Sequence, residues 1–416
     1  MNSQRRCLSA AILVASASCA DGQAASLEGP RPPASFEICR SDLAVEARAR
    51  GIGQALVAQQ LESLTPDPEV LEAARNQSEF VKPIWIYLGA VVTEARIAEG
   101  QRKLAEWAQT LGEIERAFGI DRHILVAIWG VESTYGTVLE DATIVRPVIR
   151  SLATLACGDL SRAGYWRDEL MAALQIVERA DAPAGALAGG LTGSWAGAMG
   201  HTQFMPTTYQ AQAVDFDGDG RRDIWRSVPD ALASTASYLK ASGWRRGEGW
   251  GYEVTLPDGF DYGLADETTE RSVVEWQQRG VRPARPGPLV DEGMRATLVL
   301  PAGARGPAFL LFPNFRIILR YNTALAYALT VAHLSDRLRG EPDFVRDWPR
   351  GDRLLTPAES RDLQTLLTER GFPAGAVDGK IGPKTRASVR AYQVSVGLVP
   401  DGYAEAGLLE RIRGDR

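Results

Sequence analysis

Residues 127–136 read AIWGVESTYG. Just upstream and within this stretch, Ile124, Leu125, Ile128 and Trp129 recur at the three- and four-residue spacing of a helix that buries one face. Glu132 then takes the next place on that stripe. Asp121 is a reasonable N-cap, so the pattern predicts a helix over Arg122–Ser133, with Gly136 just past its end. Glu132 therefore falls in the last turn, where the helix dipole disfavours negative charge. The apolar wall of Trp129 disfavours ionisation as well. Both effects would keep the carboxyl protonated near neutral pH, which is what a general acid requires. Read alone, the segment is also compatible with an ordinary glutamate at a helix end.

A second stretch, GSWAGAMGHTQFMPTTY at 193–209, follows the mostly helical region 36–179. Its small residues, Gly193, Ser194, Ala196, Gly197, Ala198 and Gly200, permit close approach by a ligand or by another segment. Ser194 and Gln203 offer neutral hydrogen-bonding groups suited to sugar hydroxyls and amides. Trp195, Met199 and Phe204 offer apolar surface for sugar faces. A third stretch, DFDGDGRRDIWRSVPDA at 215–231, places Asp215, Asp217 and Asp219 at alternate positions with Gly220 sixth, like the first half of a calcium loop. Its twelfth position is Arg226, which cannot ligate, so Asp230 would close the site from a longer loop, with Asp223 a second candidate. A solvated acidic turn has the same composition. With three histidines, at 123, 201 and 333, there is no zinc-like cluster. A fourth stretch, RYNTALAYAL at 320–329, carries Tyr321, Asn322 and Tyr327 on an otherwise apolar helix.

The whole chain frames these stretches. It has 416 residues, 45% hydrophobic and 24% charged, which suits a globular protein of more than one domain. A net charge of -6 argues against nucleic acid as a partner. Arg5 and Arg6 precede an apolar run, Leu8–Ala17, and then small residues, the pattern of a bacterial export signal over 1–25. The run is too short for a membrane span, and no later stretch is long enough. Cys19 raises a lipoprotein alternative, but Ser16 stands where a lipobox would want Leu. Beyond the signal, Cys39 and Cys157 are left as one pair, expected to bridge in an oxidising compartment; two buried thiols are the alternative. Pro- and Gly-punctuated alternation over about 245–312 reads as a small β-containing subdomain inserted between helices. Residues 339–353 read as a linker and 354–414 as a small unit whose turns, Asp378-Gly379 and Asp401-Gly402, suggest an internal duplication.

Together and in this order, the four stretches resemble the MltB-type lytic murein transglycosylases over 36–338. Residues 354–414 resemble the small helical peptidoglycan-binding domain, through Leu363-Gln364, Gly371-Phe372, Asp378-Gly379-Lys380-Ile381-Gly382, Thr385, Tyr392-Gln393 and Asp401-Gly402. The resemblance implies a mainly helical (α+β), lysozyme-like catalytic domain with a small β subdomain and an appended helical bundle. It implies a periplasmic, monomeric enzyme that acts on peptidoglycan glycan strands and needs no cofactor, with calcium in a structural role at Asp215, Asp217, Asp219 and Asp230. Cleavage of the MurNAc-β-1,4-GlcNAc bond would proceed without water, the muramoyl C6 hydroxyl attacking C1 to leave a 1,6-anhydro end. Glu132 would act as acid and then base; Ser194, Gln203 and Met199 would hold the sugar. Tyr165, Arg162 and Tyr238 would line the groove, and Tyr321, Asn322 and Tyr327 would face the acid. Two other readings stay open: a muramidase that yields reducing ends, and a wall-binding scaffold without catalysis.

Overall fold

The structure, a computed structural model, describes residues 36–75, 82–179, 191–265, 268–286 and 291–415; the expected export signal at 1–25 lies outside them. The described residues divide into two compact units. The first comprises the chain up to 81, then 91–247 and 317–341; the second comprises 82–90, 248–316 and the chain from 342 onward.

The first unit is helical. Its centre is the helix Arg122–Ser133, which has the bounds the apolar stripe predicts, and Asp121 caps it by accepting from the His123 N–H at 2.7 Å. Every residue from Ile124 to Ser133 is buried. The helix Leu325–Arg339, itself buried along most of its length, packs alongside. The helices Glu94–Glu106 and Val228–Ala241 pack against it from other sides, so it is wrapped rather than left on the surface. Cys39 in the helix Phe36–Ala49 and Cys157 in the helix Val148–Gly158 form the expected disulfide, with Cα atoms 5.8 Å apart. Among the described residues, no helix is long and apolar enough to cross a membrane.

The second unit holds the β subdomain. Five antiparallel strands run in the order Glu270–Ser272, Arg295–Val299, Ala308–Leu311, Gly251–Thr255, Arg282–Pro283. Trp276, Leu298, Leu310 and Phe312 are among the residues that form its core. The part of the expected linker that lies in this unit, 342–353, is more than a spacer. Phe344 and Trp348 pack their rings against Phe309, and the backbone N–H groups of Val345 and Arg346 donate to the carboxylate of Glu253.

The C-terminal bundle packs the helices Pro357–Glu369, Pro383–Ser395 and Ala406–Gly414 around Leu363, Leu367, Val389, Tyr392, Leu409 and Ile412. Its duplication is visible atom by atom. Gln364 accepts from the Gly379 N–H and donates to Asp378 Oδ1; Gln393 accepts from the Gly402 N–H and donates to Asp401 Oδ1. Both glycines have positive φ, 79° and 74°, which is why the turns use Gly.

Candidate active site

Glu132 is 2% exposed, one residue from the end of its helix. Its Oε1 accepts a hydrogen bond from the hydroxyl of Tyr327 at 2.8 Å. That hydroxyl comes from the neighbouring helix Leu325–Arg339, so packing of two buried helices aims the carboxyl. The chain leaves the helix through Thr134 and Tyr135, both non-glycine residues at positive φ (51° and 58°). Gly136 lies just past the helix end as expected, two residues after the capping Thr134. Tyr135 folds back, its ring edge-on to Trp129 and its hydroxyl donating to the Arg96 carbonyl.

The small-residue stretch wraps into a tight loop beside this helix end. Gly193 pairs across to Met199, and Met199 to Phe204. A Cβ at Gly193 would come within 2.1 Å of the Ala198 carbonyl oxygen, so close approach of backbone explains that glycine. Ser194 Oγ accepts from the N–H groups of Ala196 and Ala198, which makes it the staple of the turn. Met199 is fully buried beneath the loop. Gln203 sits at φ 55° and donates through Nε2 to the Gly200 carbonyl, while its buried Oε1 has no partner within the described protein.

Gln203, Phe204, Met205, Thr208, Tyr238 and Tyr321 line one pocket. Tyr238 and Tyr321 meet edge-on at 5.2 Å between ring centroids, and Phe204 contacts both. Tyr321 donates to the Thr202 carbonyl at 2.6 Å and stacks at 6.5 Å on Tyr327. Burial, then the charge of Glu132, raises the Tyr321 phenol well above its ordinary range, so it stays a donor. Asn322 is fully buried; its Oδ1 caps the Ala324 N–H, and its Nδ2 has no partner within the described protein. Thus Glu132, Gln203, Tyr238, Tyr321, Asn322 and Tyr327 fall in one connected neighbourhood, with Ser194 and Met199 shaping the loop behind it.

Arg162 and Tyr165 form a second cluster. The guanidinium of Arg162 lies over the rings of Tyr165 and Trp166, 4.9 and 4.5 Å from their centroids. Burial, and then the charge of Glu169, pushes the Tyr165 phenol up. Buried Glu169 reaches the loop, accepting from both the N–H and the hydroxyl of Thr207.

In the acidic loop, Asp215, Asp217 and Asp230 each bring a carboxylate oxygen within 4.8 Å of the others, while Asp219 stands outside that group. Three carboxylates of this kind are hard oxygen donors of the sort calcium takes. They also build the loop. Asp230, fully buried, accepts from the N–H groups of Phe216, Asp217 and Asp223, and Asp215 accepts from those of Gly218 and Gly220. Asp223 instead accepts from the N–H groups of Trp225 and Arg226.

Comparison with known proteins now decides the family. Residues 35–336 match the transglycosylase SLT domain, and residues 356–412 match a domain described as putative peptidoglycan binding. This chain belongs to the SLT lytic transglycosylases. Its sequence is 33% identical over 257 residues to membrane-bound lytic murein transglycosylase B of Escherichia coli, a match covering 60% of this chain and 66% of that one. Its fold superposes on SltB3 of Pseudomonas aeruginosa, solved in complex with NAG-NAM-pentapeptide, with a TM-score of 0.84 and 47% identity over 91% of this chain and all of that one. Slt35 of Escherichia coli, solved in complex with calcium, aligns with a TM-score of 0.59 and 28% identity over 72% of this chain and 92% of that one. The mainly helical SLT fold with its small antiparallel subdomain is therefore the one the sequence predicts.

Several residues of this transglycosylase site are not evident from the sequence. Ser133 donates to the His201 carbonyl at 2.6 Å, Trp129 donates to His201 Nδ1, and Glu169 anchors Thr207. These partners lie 68, 72 and 38 residues apart, and no periodicity links such positions. The one available signal is His201 itself, in a stretch that holds no Asp, Glu, Lys or Arg.

Proposed function

We propose that this lytic transglycosylase cleaves the MurNAc-β-1,4-GlcNAc bond of peptidoglycan without water and leaves 1,6-anhydro-MurNAc ends. The observation that carries the reading is the buried carboxyl of Glu132, held by the hydroxyl of Tyr327, whose ring stacks on Tyr321 in the wall of a pocket that also holds aromatic faces and the unspent amide oxygen of Gln203. Glu132 donates its proton to the glycosidic oxygen as the C1–O4 bond breaks. The resulting carboxylate then takes the proton of the C6 hydroxyl as O6 bonds to C1. The acid is thereby regenerated and no water enters the balance. Hydrolytic glycosidases pair two carboxyl groups across the bond; an intramolecular hydroxyl nucleophile removes the need to activate water.

Gln203 Oε1 and Asn322 Nδ2 supply an acceptor and a donor for sugar amide and hydroxyl groups. Ser194 and Met199 set the loop's shape, and Tyr238 and Tyr321 give stacking faces. Arg162 and Tyr165 extend the sugar-binding surface. The relative SltB3 has also been solved in complex with NAG-anhNAM-pentapeptide, an anhydro sugar of the expected product class. Calcium belongs at Asp215, Asp217 and Asp230, with Asp219 at the rim, where it would brace the loop rather than take part in chemistry. The C-terminal bundle holds the enzyme on the sacculus and raises its local concentration there. Export through residues 1–25 places this monomeric enzyme in the periplasm.

Mass spectrometry of fragments released from purified sacculi tests this, wild type beside Glu132→Gln. Anhydro ends from wild type alone are expected. Reducing ends would establish the muramidase instead, and retained sacculus binding with no product from either protein would establish the scaffold.

A further inference from the structure

We propose that His201 is a positioning residue for the acid: its neutral imidazole, gripped by the indole of Trp129, locks the end of the Glu132 helix to the loop that carries Gln203. The inference rests on Glu132 being the acid. Trp129 lies one turn before Glu132, and its Nε1–H donates to His201 Nδ1 at 3.1 Å. An indole N–H can only donate, so Nδ1 must offer its lone pair and the ring proton sits on Nε2. The two rings stand edge-on, 84° apart, with centroids 5.5 Å apart. Ser133, the residue after Glu132, donates to the His201 carbonyl and accepts from the Gly136 N–H. Gly136 closes the third side: a Cβ there would lie 2.4 Å from His201 Cε1.

The loop on either side of His201 is equally committed. The His201 N–H donates to the Ile224 carbonyl, and the next carbonyl, Thr202, takes the Tyr321 hydroxyl. Then comes Gln203, facing the pocket at positive φ. Thr134, Tyr135 and Gln203 are the non-glycine residues at positive φ among the described residues, and all three flank this junction. Such conformations persist only where surrounding contacts over-determine them. The His201 contacts supply part of that constraint, beside Arg96, whose guanidinium and carbonyl hold the Thr134 and Tyr135 hydroxyls.

The charges around the ring are few. Lys103, from the helix Glu94–Glu106, lies over the Trp129 indole at 5.8 Å and is itself paired with Glu106 at 2.8 Å and Glu99 at 4.0 Å. Glu132, on the helix of Trp129, is engaged with Tyr327. Burial, then Lys103, lowers the imidazole to about 4. The ring is therefore neutral wherever the bond to the indole is needed. Protonation would turn Nδ1 into a donor facing a donor and break the lock.

The test compares His201→Phe, His201→Asn and Trp129→Phe with wild type in the full chain. Asparagine places an acceptor oxygen near the Nδ1 position and cannot be protonated in this range. His201→Phe and Trp129→Phe should each lower kcat about tenfold or more. Binding to sacculi, measured in a Glu132→Gln background, should be unchanged. His201→Asn should restore most of kcat and keep it to lower pH than wild type. The Trp129 indole N–H resonance should titrate in wild type with a midpoint near 4 and not in His201→Asn. Wild-type kcat in a folded His201→Phe, or equal losses in folded Asn and Phe variants, overturns the proposal. If His201→Phe does not fold, Trp129→Phe at wild-type kcat overturns it equally, as does an indole resonance unmoved by acid. The resonance reads the lock itself, so it separates this idea from Glu132 being the acid, which Glu132→Gln turnover decides alone.

Discussion

Replacing Tyr327 with Phe removes one oxygen and little else. Tyr327 is fully buried and Glu132 nearly so, and their 2.8 Å hydrogen bond is the contact that aims the acid. A hydrogen bond to a charged group contributes roughly 1.5–3 kcal/mol, and losing a buried partner forfeits about that much. The bond matters most once Glu132 has given up its proton, because a carboxylate accepts far better than a carboxyl. The loss therefore falls on the step in which Glu132 gives its proton to the glycosidic oxygen and the carboxylate forms. At about 1.4 kcal/mol per factor of ten, kcat should fall roughly 10- to 100-fold. KM should change by less than about threefold, because the hydrogen bond removed is made to Glu132 and not to the residues that line the pocket. The assay is the initial rate of anhydro-muropeptide release from sacculi at several substrate concentrations, with thermal unfolding as the control for folding. A kcat within twofold of wild type in a folded Tyr327→Phe would refute the claim that this bond orients the acid.

Three further outcomes follow from the same packing. Cys39→Ser with Cys157→Ser opens a bridge between residues 118 apart, and loops of about that length are worth roughly 4–5 kcal/mol of stability; urea unfolding of the oxidised wild type and the variant reads this directly. Asp230→Ala strands three N–H donors, one buried and two part-buried, so it should cost about 2–4 kcal/mol; calcium should raise the Tm of wild type but not of the variant, and an equal rise in both would remove the metal from this loop. For His201 the sign is acid-destabilising: the folded imidazole titrates at about 4 and the unfolded one at 6.5. Its contribution is intact above pH 6.5 and is lost on descending to 4, to a full extent of about 3 kcal/mol; His201→Asn should lose correspondingly less stability between those pH values, and parallel pH–stability curves would contradict the shift.

The helix Arg122–Ser133 was legible because every signal for it is local. Its apolar stripe, its Asp121 cap and its interrupting carboxylate all lie within about a dozen residues. The β subdomain was legible for the same reason: alternation over Tyr252–Leu256 and the apolar run Ala296–Leu300 lie within one residue of the strands Gly251–Thr255 and Arg295–Val299. The duplication in the bundle was half legible. The Asp-Gly pairs stand out in sequence, but the glutamines that clamp them lie 15 and 9 residues before the glycines, on preceding helices. The bounds of the acid helix were legible, but not the residue that takes the left-handed cap: glycine is the usual choice and here it is Thr134. A propensity argument cannot foresee this, since the strain at Thr134 is supported from outside, through the Arg96 guanidinium on its hydroxyl.

The carboxylate on the apolar stripe has the same explanation. A buried carboxyl is costly without partners, yet Glu132 lies inside a helix whose every neighbour is buried. The cost is offset by groups that each belong to a distant segment: Tyr327 from the helix Leu325–Arg339 on its oxygen, Ser133 tied to the His201 carbonyl, and Trp129 tied to the His201 ring. None of these contacts is available to an isolated helix. The acid is therefore stable only in the geometry in which the groove loop is already in place beside it. Removing any one tie should loosen that geometry before it unfolds the domain, because the remaining helix face is still apolar and still packed. Effects on kcat should accordingly exceed effects on Tm for substitutions at Tyr327 and His201, and the reverse should hold for the disulfide, which braces the fold from a helix pair that lines no part of the pocket.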